Sequence, residues 1–310
     1  MCSGILFPVA VKMIHENFGD IPESVCCAPV QLKGNRAFLT NDGPFLEWPF
    51  LVRGSVAEGM NISRSEFDAW LCRSSGAAIS DQCRFTGLKE QEGKFLVKIR
   101  QNQEELEIAA NYLIGADGAL SRVRNSLVPA FDRGIGLIPN YEEWYSGEID
   151  LEPQWLYQFF DRSVTGFFAC VFHKDDQIIV TTGCQTKDAV KGLFQEFVSH
   201  LKERHGLRIG ERTERYGCVI HDMSGTNNYF PGQGNVLLVG EAAGFNRCAE
   251  GITSALISGK AAGEAILKGM ETGQPVVDLY AKTAGLEMEK CNKAIQVVEK
   301  AIGFNPFTRE

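Results

Sequence analysis

The chain has 310 residues, of which 44% are hydrophobic and 23% are charged. These values are typical of a globular protein with one large domain or two smaller ones. The net charge of -8 argues against a nucleic-acid-binding protein, which normally carries a basic surface. The ten cysteines include no C-x-x-C pair and no zinc-type spacing with histidine. We therefore expect reduced thiols, a cytoplasmic location and no metal ion.

The first half of the chain predicts two helices and a strand meander. Apolar residues recur at helical spacing over 5–18, and Gly19 follows as a stop. Ser63 and Glu66 have the spacing of a capping box, so a second helix should begin there. Residues 83–114 read as a strand meander, because apolar and polar residues alternate within it. No apolar run reaches the ~18 residues that span a bilayer, which leaves only peripheral contact with a membrane open.

The second half predicts strands followed by long helices. Residues 131–184 are rich in strand-forming segments, and a helix with one apolar stripe is expected over about 187–204. A short apolar run at 236–239 is typical of a buried parallel strand, and a long helix should follow over 251–268. Residues 286–310 contain a last amphipathic helix.

The first chemical motif lies at the end of an apolar strand. Residues 113–124 read LIGADGALSRVR, so the strand ends in Gly115, Asp117 and Gly118, and a helix starts near Ser121. Ligands of open α/β sheets bind at the carboxyl ends of strands. Glycines let the backbone approach a ligand closely, and a helix N-terminus offers N–H groups to phosphate. The alternative is an ordinary strand–turn–helix with a capping serine.

The second motif repeats this arrangement later in the chain. The strand at 236–239 is followed by an acidic residue among small ones, and then by a helix rich in alanine, glycine and serine. Small residues let a flat cofactor lie close to the backbone, and a carboxylate suits a ribityl or ribose hydroxyl. The alternative is a tight helix–sheet contact. The candidate cofactor-binding residues are Gly240, Glu241, Ala242, Gly244, Gly251 and Ile252.

In order and spacing, the two motifs resemble the flavin motifs of the aromatic-hydroxylase, or p-hydroxybenzoate hydroxylase-like, superfamily. A finer resemblance is to the geranylgeranyl reductase family. It is carried by Cys2-Ser3-Gly4, by Arg64 with residues 67–71, and by Gly244-Phe245 with residues 250–252. The resemblance implies FAD as the cofactor and NAD(P)H or another donor as the source of electrons.

Arg64 is a candidate phosphate ligand of that cofactor. It stands at the start of a capped helix, and the arginine side chain matches phosphate geometry. The alternative is a surface arginine paired with Glu66 or Asp68, and both interpretations stay open.

The resemblance also implies an α/β fold with two interleaved domains. One is a Rossmann-like FAD/NAD(P)-binding domain, and the other is a substrate domain with a mainly antiparallel sheet. The FAD-binding domain would comprise 1–27, 63–127 and 235–285, the substrate domain 28–62 and 128–234, and the C-terminal helix 286–310.

The sequence departs from the family pattern in two places. Glu241 stands where the family usually has aspartate, so the charge is kept but the side chain reaches one methylene further. The 310 residues also contain no G-x-G-x-x-G string, which in the family precedes the Cys-Ser-Gly segment and binds the pyrophosphate. We therefore expect an N-terminally incomplete FAD-binding domain and weak FAD binding by this chain.

The function implied by the resemblance is reduction of C=C bonds in a prenyl or other small apolar substrate. Candidate pocket-lining residues are Trp144, Phe159, Phe168 and Phe172, although ordinary sheet core is the favoured interpretation for any single one, because pockets and cores use the same residue types. Two alternatives stay open, because a fold does not determine a function. One is an FAD-dependent monooxygenase or halogenase, and the other is a remnant that binds no FAD.

Overall fold

The computed structural model describes residues 4–41, 43–52, 55–91, 94–129, 131, 136–184, 186–221, 229–246 and 250–302. The strands are β1 Ile5–Leu6, β2 Cys26–Leu32, β3 Gly34–Phe38, β4 Phe45–Pro49, β5 Leu51–Val52, β6 Ser55–Val56, β7 Gly59–Ile62, β8 Cys83–Gln91, β9 Lys94–Gln101, β10 Glu104–Ala110, β11 Leu113–Gly115, β12 Leu137–Glu148, β13 Trp155–Phe159, β14 Ala169–Lys174, β15 Gln177–Gly183, β16 Arg208–His221, β17 Gly232–Gln233 and β18 Val236–Leu238. The helices are α1 Pro8–Phe18, α2 Arg64–Ser74, α3 Arg122–Leu127, α4 Val190–His205, α5 Gly251–Thr272 and α6 Val276–Ile302.

The chain divides into two units, one built mainly from Met1–Ala77 and Ile138–Ile220 and the other from Ala78–Leu137 and His221–Phe307. Residues 1–27 and 63–77, which the sequence assigns to the FAD-binding domain, lie in the first unit. Part of the reason is that β1 and β2 both pair with β7. The predicted domain boundaries themselves stay a prediction.

The first unit is organised by a seven-stranded sheet in the order β16-β12-β15-β14-β13-β3-β4. Its neighbours are mainly antiparallel, as predicted, but β3 and β13 are parallel. Helix α4 covers one face, where its stripe of Phe194, Phe197, Val198 and Leu201 packs on the sheet. The opposite face forms a second apolar cluster with Ile5, Leu32 and Phe50.

Two local predictions in the first unit are wrong in detail. Ile5–Leu6 pairs with β7 as a strand, and helix α1 begins only at Pro8, whose fixed φ favours the first helical turn. Helix α2 begins directly after Ser63, as predicted, but the Ser63 side chain makes no capping hydrogen bond. Its hydroxyl instead lies 3.2 Å from that of Ser65, so the capping box does not form.

The second unit contains the predicted meander, in the order β10-β9-β8, and a three-stranded sheet in the order β11-β18-β17. The segment predicted as a meander over 83–114 ends with β10 at Ala110, and the separate strand β11 starts at Leu113. Helix α6 begins at Val276, so the expected boundary at residue 286 falls inside one helix. Tyr280 anchors its first turns by donating a hydrogen bond to the Leu238 carbonyl at 2.7 Å. Among the described helices, none has a segment long and apolar enough to cross a lipid bilayer.

Candidate functional site

The two sequence motifs leave the sheet of the second unit at the same edge. Strands β11 and β18 are parallel neighbours, with Gly115 opposite Leu238. Asp117 follows the end of β11 by two residues, and Glu241 follows the end of β18 by three. The structure therefore brings the two predicted acidic positions to the carboxyl ends of adjacent parallel strands, where α/β proteins bind ligands.

The carboxylate of Asp117 caps helix α3. One oxygen accepts a hydrogen bond from the Ser121 hydroxyl at 2.5 Å, and the other accepts from the backbone N–H groups of Arg122 and Val123 at 2.7 and 3.2 Å. Ser121 in turn accepts from the Arg124 N–H at 2.9 Å. Because both Asp117 oxygens accept hydrogen bonds from helix α3, the side chain stabilises the turn. A ligand at this turn would therefore contact the backbone and not the Asp117 carboxylate.

The turn after β18 is held by a different set of contacts. The Glu241 carboxylate accepts hydrogen bonds from the His221 N–H at 3.3 Å and from the Asn246 side-chain amide at 3.0 Å. Burial raises the pKa of Glu241, and these two hydrogen bonds oppose that rise. The Gly240 N–H donates to Ser258 on helix α5 at 2.8 Å, which fixes the turn against that helix.

A buried arginine joins the two turns. Arg124 is 0% exposed, and its guanidinium donates to the carbonyls of Ala119 at 2.7 Å and Ala242 at 2.7 Å, with a longer bond to Glu241 at 3.3 Å. It also lies over the Phe131 ring at 5.5 Å. Sequence reasoning missed this role of Arg124, and the only available signal was a basic residue in the first turn of the helix that follows the motif.

Some of the predicted glycine and alanine positions are closely packed, and others have open space beside the backbone where a ligand could bind. A Cβ at Gly115 would lie 2.6 Å from the Leu238 side chain, so this glycine is required by packing. Ala242 is fully buried, and its carbonyl belongs to Arg124. Gly118, at φ +78°, and Gly251 have open space where a Cβ would stand, so a ligand could approach the backbone there.

The start of helix α5 carries polar atoms that lack partners. Glu250 precedes the helix without a side-chain capping bond, which leaves the first N–H groups, including those of Gly251 and Ile252, to other acceptors. The Asn246 carbonyl oxygen and the Thr253 hydroxyl are buried without a hydrogen-bond partner among the described residues. Buried polar atoms normally have partners, so this region fits the polar edge of a bound cofactor. Gly244, at φ +79°, ends the turn that leads into it.

Arg64 is paired with a neighbour on its own helix in the first unit. Its guanidinium donates to both Asp68 oxygens, at 3.2 and 2.9 Å, and its side chain is 30% exposed. The pairing with Asp68 is one of the two interpretations that the sequence left open. A role as phosphate ligand stays a prediction.

The four candidate pocket residues do not share one face of the large sheet. Trp144, Phe168 and Phe172 lie on the face opposite α4, where Phe172 is 1% exposed and the other two are half-buried. Phe159 is fully buried on the α4 face and contacts Phe197 edge-on. Phe159 therefore belongs to the helix–sheet core and cannot line a pocket with the other three.

The face with Trp144 also holds two charged groups that the sequence did not single out. The Trp144 indole donates to the Glu142 carboxylate at 2.7 Å, and the Lys174 ammonium lies 5.9 Å from the Trp144 ring centre. Lys174 is 2% exposed and donates to the carbonyls of Ile62 at 2.7 Å and Gly4 at 3.4 Å. Burial raises the pKa of Glu142, while the Trp144 bond and the charge of Lys174 oppose the rise.

Residues 65–189 match the family described as "FAD binding domain". This match and the two turns support an FAD-dependent oxidoreductase with FAD as the cofactor of the matched domain, and the fold is similar to that of the aromatic-hydroxylase superfamily. The resemblance predicted from the two motifs is thereby confirmed at the level of the superfamily.

The chain is similar in sequence or structure to several known proteins. Protein CbrA of Escherichia coli strain K12 is 29% identical over 267 residues, which cover 83% of this chain and 70% of that protein. The geranylgeranyl bacteriochlorophyll reductase-like protein of Thermoplasma acidophilum superposes with a TM-score of 0.76 at 18% identity, covering 94% of this chain and 74% of the other. The myxobacterial chondrochloren halogenase CndH gives a TM-score of 0.68 at 13% identity, covering 91% and 69%.

Proposed function

We propose that this chain reduces C=C bonds of a prenyl or other small apolar substrate. The observation that carries the proposal is the sheet face on which the half-buried aromatic side chains of Trp144 and Phe168 lie, with the buried Phe172 in the same apolar cluster and Glu142 bonded to Trp144. Aromatic surfaces with few polar groups bind apolar ligands and orient them through those polar groups. The geranylgeranyl reductase-like neighbour from Thermoplasma acidophilum supports the same substrate class.

FAD supplies the redox chemistry when bound, and the protein supplies position and electrostatics. The backbone at Gly118 and the N–H groups of Gly251 and Ile252 would hold the cofactor, with Glu241 near its hydroxyl groups. Saturation of a C=C bond also requires a proton at the second carbon. Glu142 is suited to donate it, because burial raises its pKa towards the range of a general acid.

The test is turnover of a prenyl alcohol such as geranylgeraniol by the chain supplied with FAD and a chemical reductant without oxygen. We expect a product that has gained two hydrogens at each reduced bond, detected by mass spectrometry. Products that gain oxygen or halogen in air would replace this proposal with the monooxygenase or halogenase alternative. A chain that shows no flavin absorbance after incubation with FAD would favour the non-binding remnant.

Two phenylalanines provide a matched pair for the substrate surface. Phe168 is half-buried on the face opposite α4, whereas Phe159 is 0% exposed on the α4 face. Phe168→Leu should raise KM about tenfold, the scale of a lost apolar contact, whereas Phe159→Leu should lower the melting temperature and leave KM unchanged. Equal effects of the two substitutions on KM would contradict the assignment of the Trp144 face as the substrate surface.

A further inference from the structure

A pocket in the second unit concentrates positive charge beside helix α3, which follows the first motif turn. It has a volume of about 410 Å³ and lies where the edge strand β8 meets helix α3. Its lining includes Arg84, Arg100 and Arg122, together with Phe85, Thr86 and Ser126, and no carboxylate among the described residues that form it. Three guanidinium groups in one pocket contrast with the net charge of -8 of the whole chain.

This arrangement is electrostatically unfavourable without an anion. Arg84 and Arg100 stand directly opposite each other in the β8–β9 register, and like charges at that position destabilise a sheet. Arg100 has a partner in Glu105 at 2.9 Å. Arg84 has no ion pair with any carboxylate that the structure describes. A bound anion would offset the repulsion that Arg84 otherwise adds.

The side chain of Arg122 belongs to this pocket and not to the motif turn. Its backbone N–H donates to Asp117, but its guanidinium is directed to the Phe85 carbonyl on β8, at 3.5 Å. That distance is long for a hydrogen bond, so most of the hydrogen-bonding capacity of the Arg122 side chain is available to a ligand.

We propose that this pocket binds a phosphate group, either free or as a phosphomonoester. Guanidinium groups form paired hydrogen bonds to phosphate oxygens and carry the opposite charge. The hydroxyl of Thr86, another lining residue, adds a further hydrogen-bond donor. The volume lies within the range of small-molecule sites.

The direct test is calorimetric titration of the full chain with inorganic phosphate, at an ionic strength held constant with chloride. Arg84→Ser should weaken phosphate binding about tenfold, the effect of losing one charge-assisted contact, and adding Arg122→Ser should weaken it further. Arg84→Lys keeps the charge but not the planar fork, so its phosphate affinity should lie between those of wild type and Arg84→Ser. Arg73→Ser, on the exposed face of α2, is the matched control and should leave binding unchanged.

Two further titrations identify the source of the phosphate. Tighter binding of NADPH than of NADH, lost in Arg84→Ser, would assign the site to the 2′-phosphate of a dinucleotide. Sedimentation with phosphatidic acid vesicles but not phosphatidylcholine vesicles, again dependent on Arg84, would assign it to a lipid headgroup. These experiments need no FAD and no turnover, so their outcome is independent of the proposed reductase function. Phosphate binding no stronger than that of chloride, or an equal loss in Arg73→Ser, would overturn the proposal.

Discussion

Each unit buries one basic side chain that donates hydrogen bonds to backbone carbonyls, and the two side chains differ in the carbonyls that they join. Arg124 in the second unit is 0% exposed and Lys174 in the first is 2% exposed. The planar fork of Arg124 reaches carbonyls of both motif turns at once, whereas the single ammonium of Lys174 joins carbonyls at Gly4 and Ile62. In both units, a buried cation therefore joins backbone carbonyls from two separate parts of the chain.

The largest expected effect is at Arg124. Arg124→Met keeps much of the side-chain volume but leaves the buried carbonyls of Ala119 and Ala242 without these donors, so we expect a loss of about 3 kcal/mol or more in unfolding free energy. Urea denaturation followed by far-ultraviolet circular dichroism measures it, since all four tryptophans lie in the first unit. Arg122→Met, two residues away and exposed, is the matched control and should change stability by less than about 0.5 kcal/mol. Similar losses in both variants would show that Arg124 does not hold the turns.

Lys174→Met should produce the next largest effect. The substitution removes the donor to the Ile62 carbonyl, and the new apolar side chain compensates part of the loss by packing beside Trp144. We expect a loss of about 2 kcal/mol, measured by the same denaturation. Lys191→Met on the exposed side of α4 is the control. An unchanged free energy of unfolding in Lys174→Met would show that Lys174, unlike Arg124, does not stabilise its unit.

Glu142 makes the environment of Lys174 dependent on pH. Burial raises the pKa of this carboxyl in the folded protein, so the stability that the protonated form contributes is present below the ordinary value of 4.5 and is lost as pH rises through the folded value. Glu142→Gln should therefore stabilise the protein near neutral pH by on the order of 1 kcal/mol. The difference between wild type and variant should shrink towards pH 4 in denaturation curves. A constant difference across this range would argue against titration of Glu142.

The smallest effect on stability is expected at Arg64, a cation at the surface. Its ion pair with Asp68 is of a class that contributes about 0.3–0.5 kcal/mol, so Arg64→Ala should barely change the denaturation midpoint. As a predicted phosphate ligand, Arg64 should nevertheless support FAD affinity, which fluorescence titration of the flavin measures. Unchanged FAD affinity would leave only the surface pair with Asp68.

The motif turns could be predicted from sequence because their signals are local. An apolar strand, a glycine and an acidic residue are adjacent in the chain at both 113–118 and 236–241, and the structure places both at the ends of parallel strands. Arg124 could not be assigned in the same way, because its acceptors at Glu241 and Ala242 are more than a hundred residues away in the chain. Its role follows only once the two strands are paired.

The faces of the four aromatic pocket candidates on the large sheet also could not be assigned from sequence alone. Strand alternation places neighbours on opposite faces, but comparing Phe159 with Phe172 requires the register between β13 and β14. In that register Phe159 lies opposite Ala169, which puts it on the face of Val171 and leaves Phe172 on the other. Glu142 and Lys174 gave no signal in the sequence, since their burial depends on strands that meet only in the folded sheet.

The parallel pairing of β3 with β13 has a consequence for synthesis on the ribosome. Contacts between these strands join residues 121 positions apart, as at Arg36 and Tyr157. The whole first segment of the second unit, Ala78–Leu137, leaves the ribosome before β13 does. During that interval the β3–β4 hairpin has no β13 to pair with, and Phe38 lacks the Phe159 ring on which it stacks in the folded protein. Such delayed long-range pairing slows folding and prolongs exposure to aggregation, so nascent chains that end before residue 155 should be the species on which chaperones act.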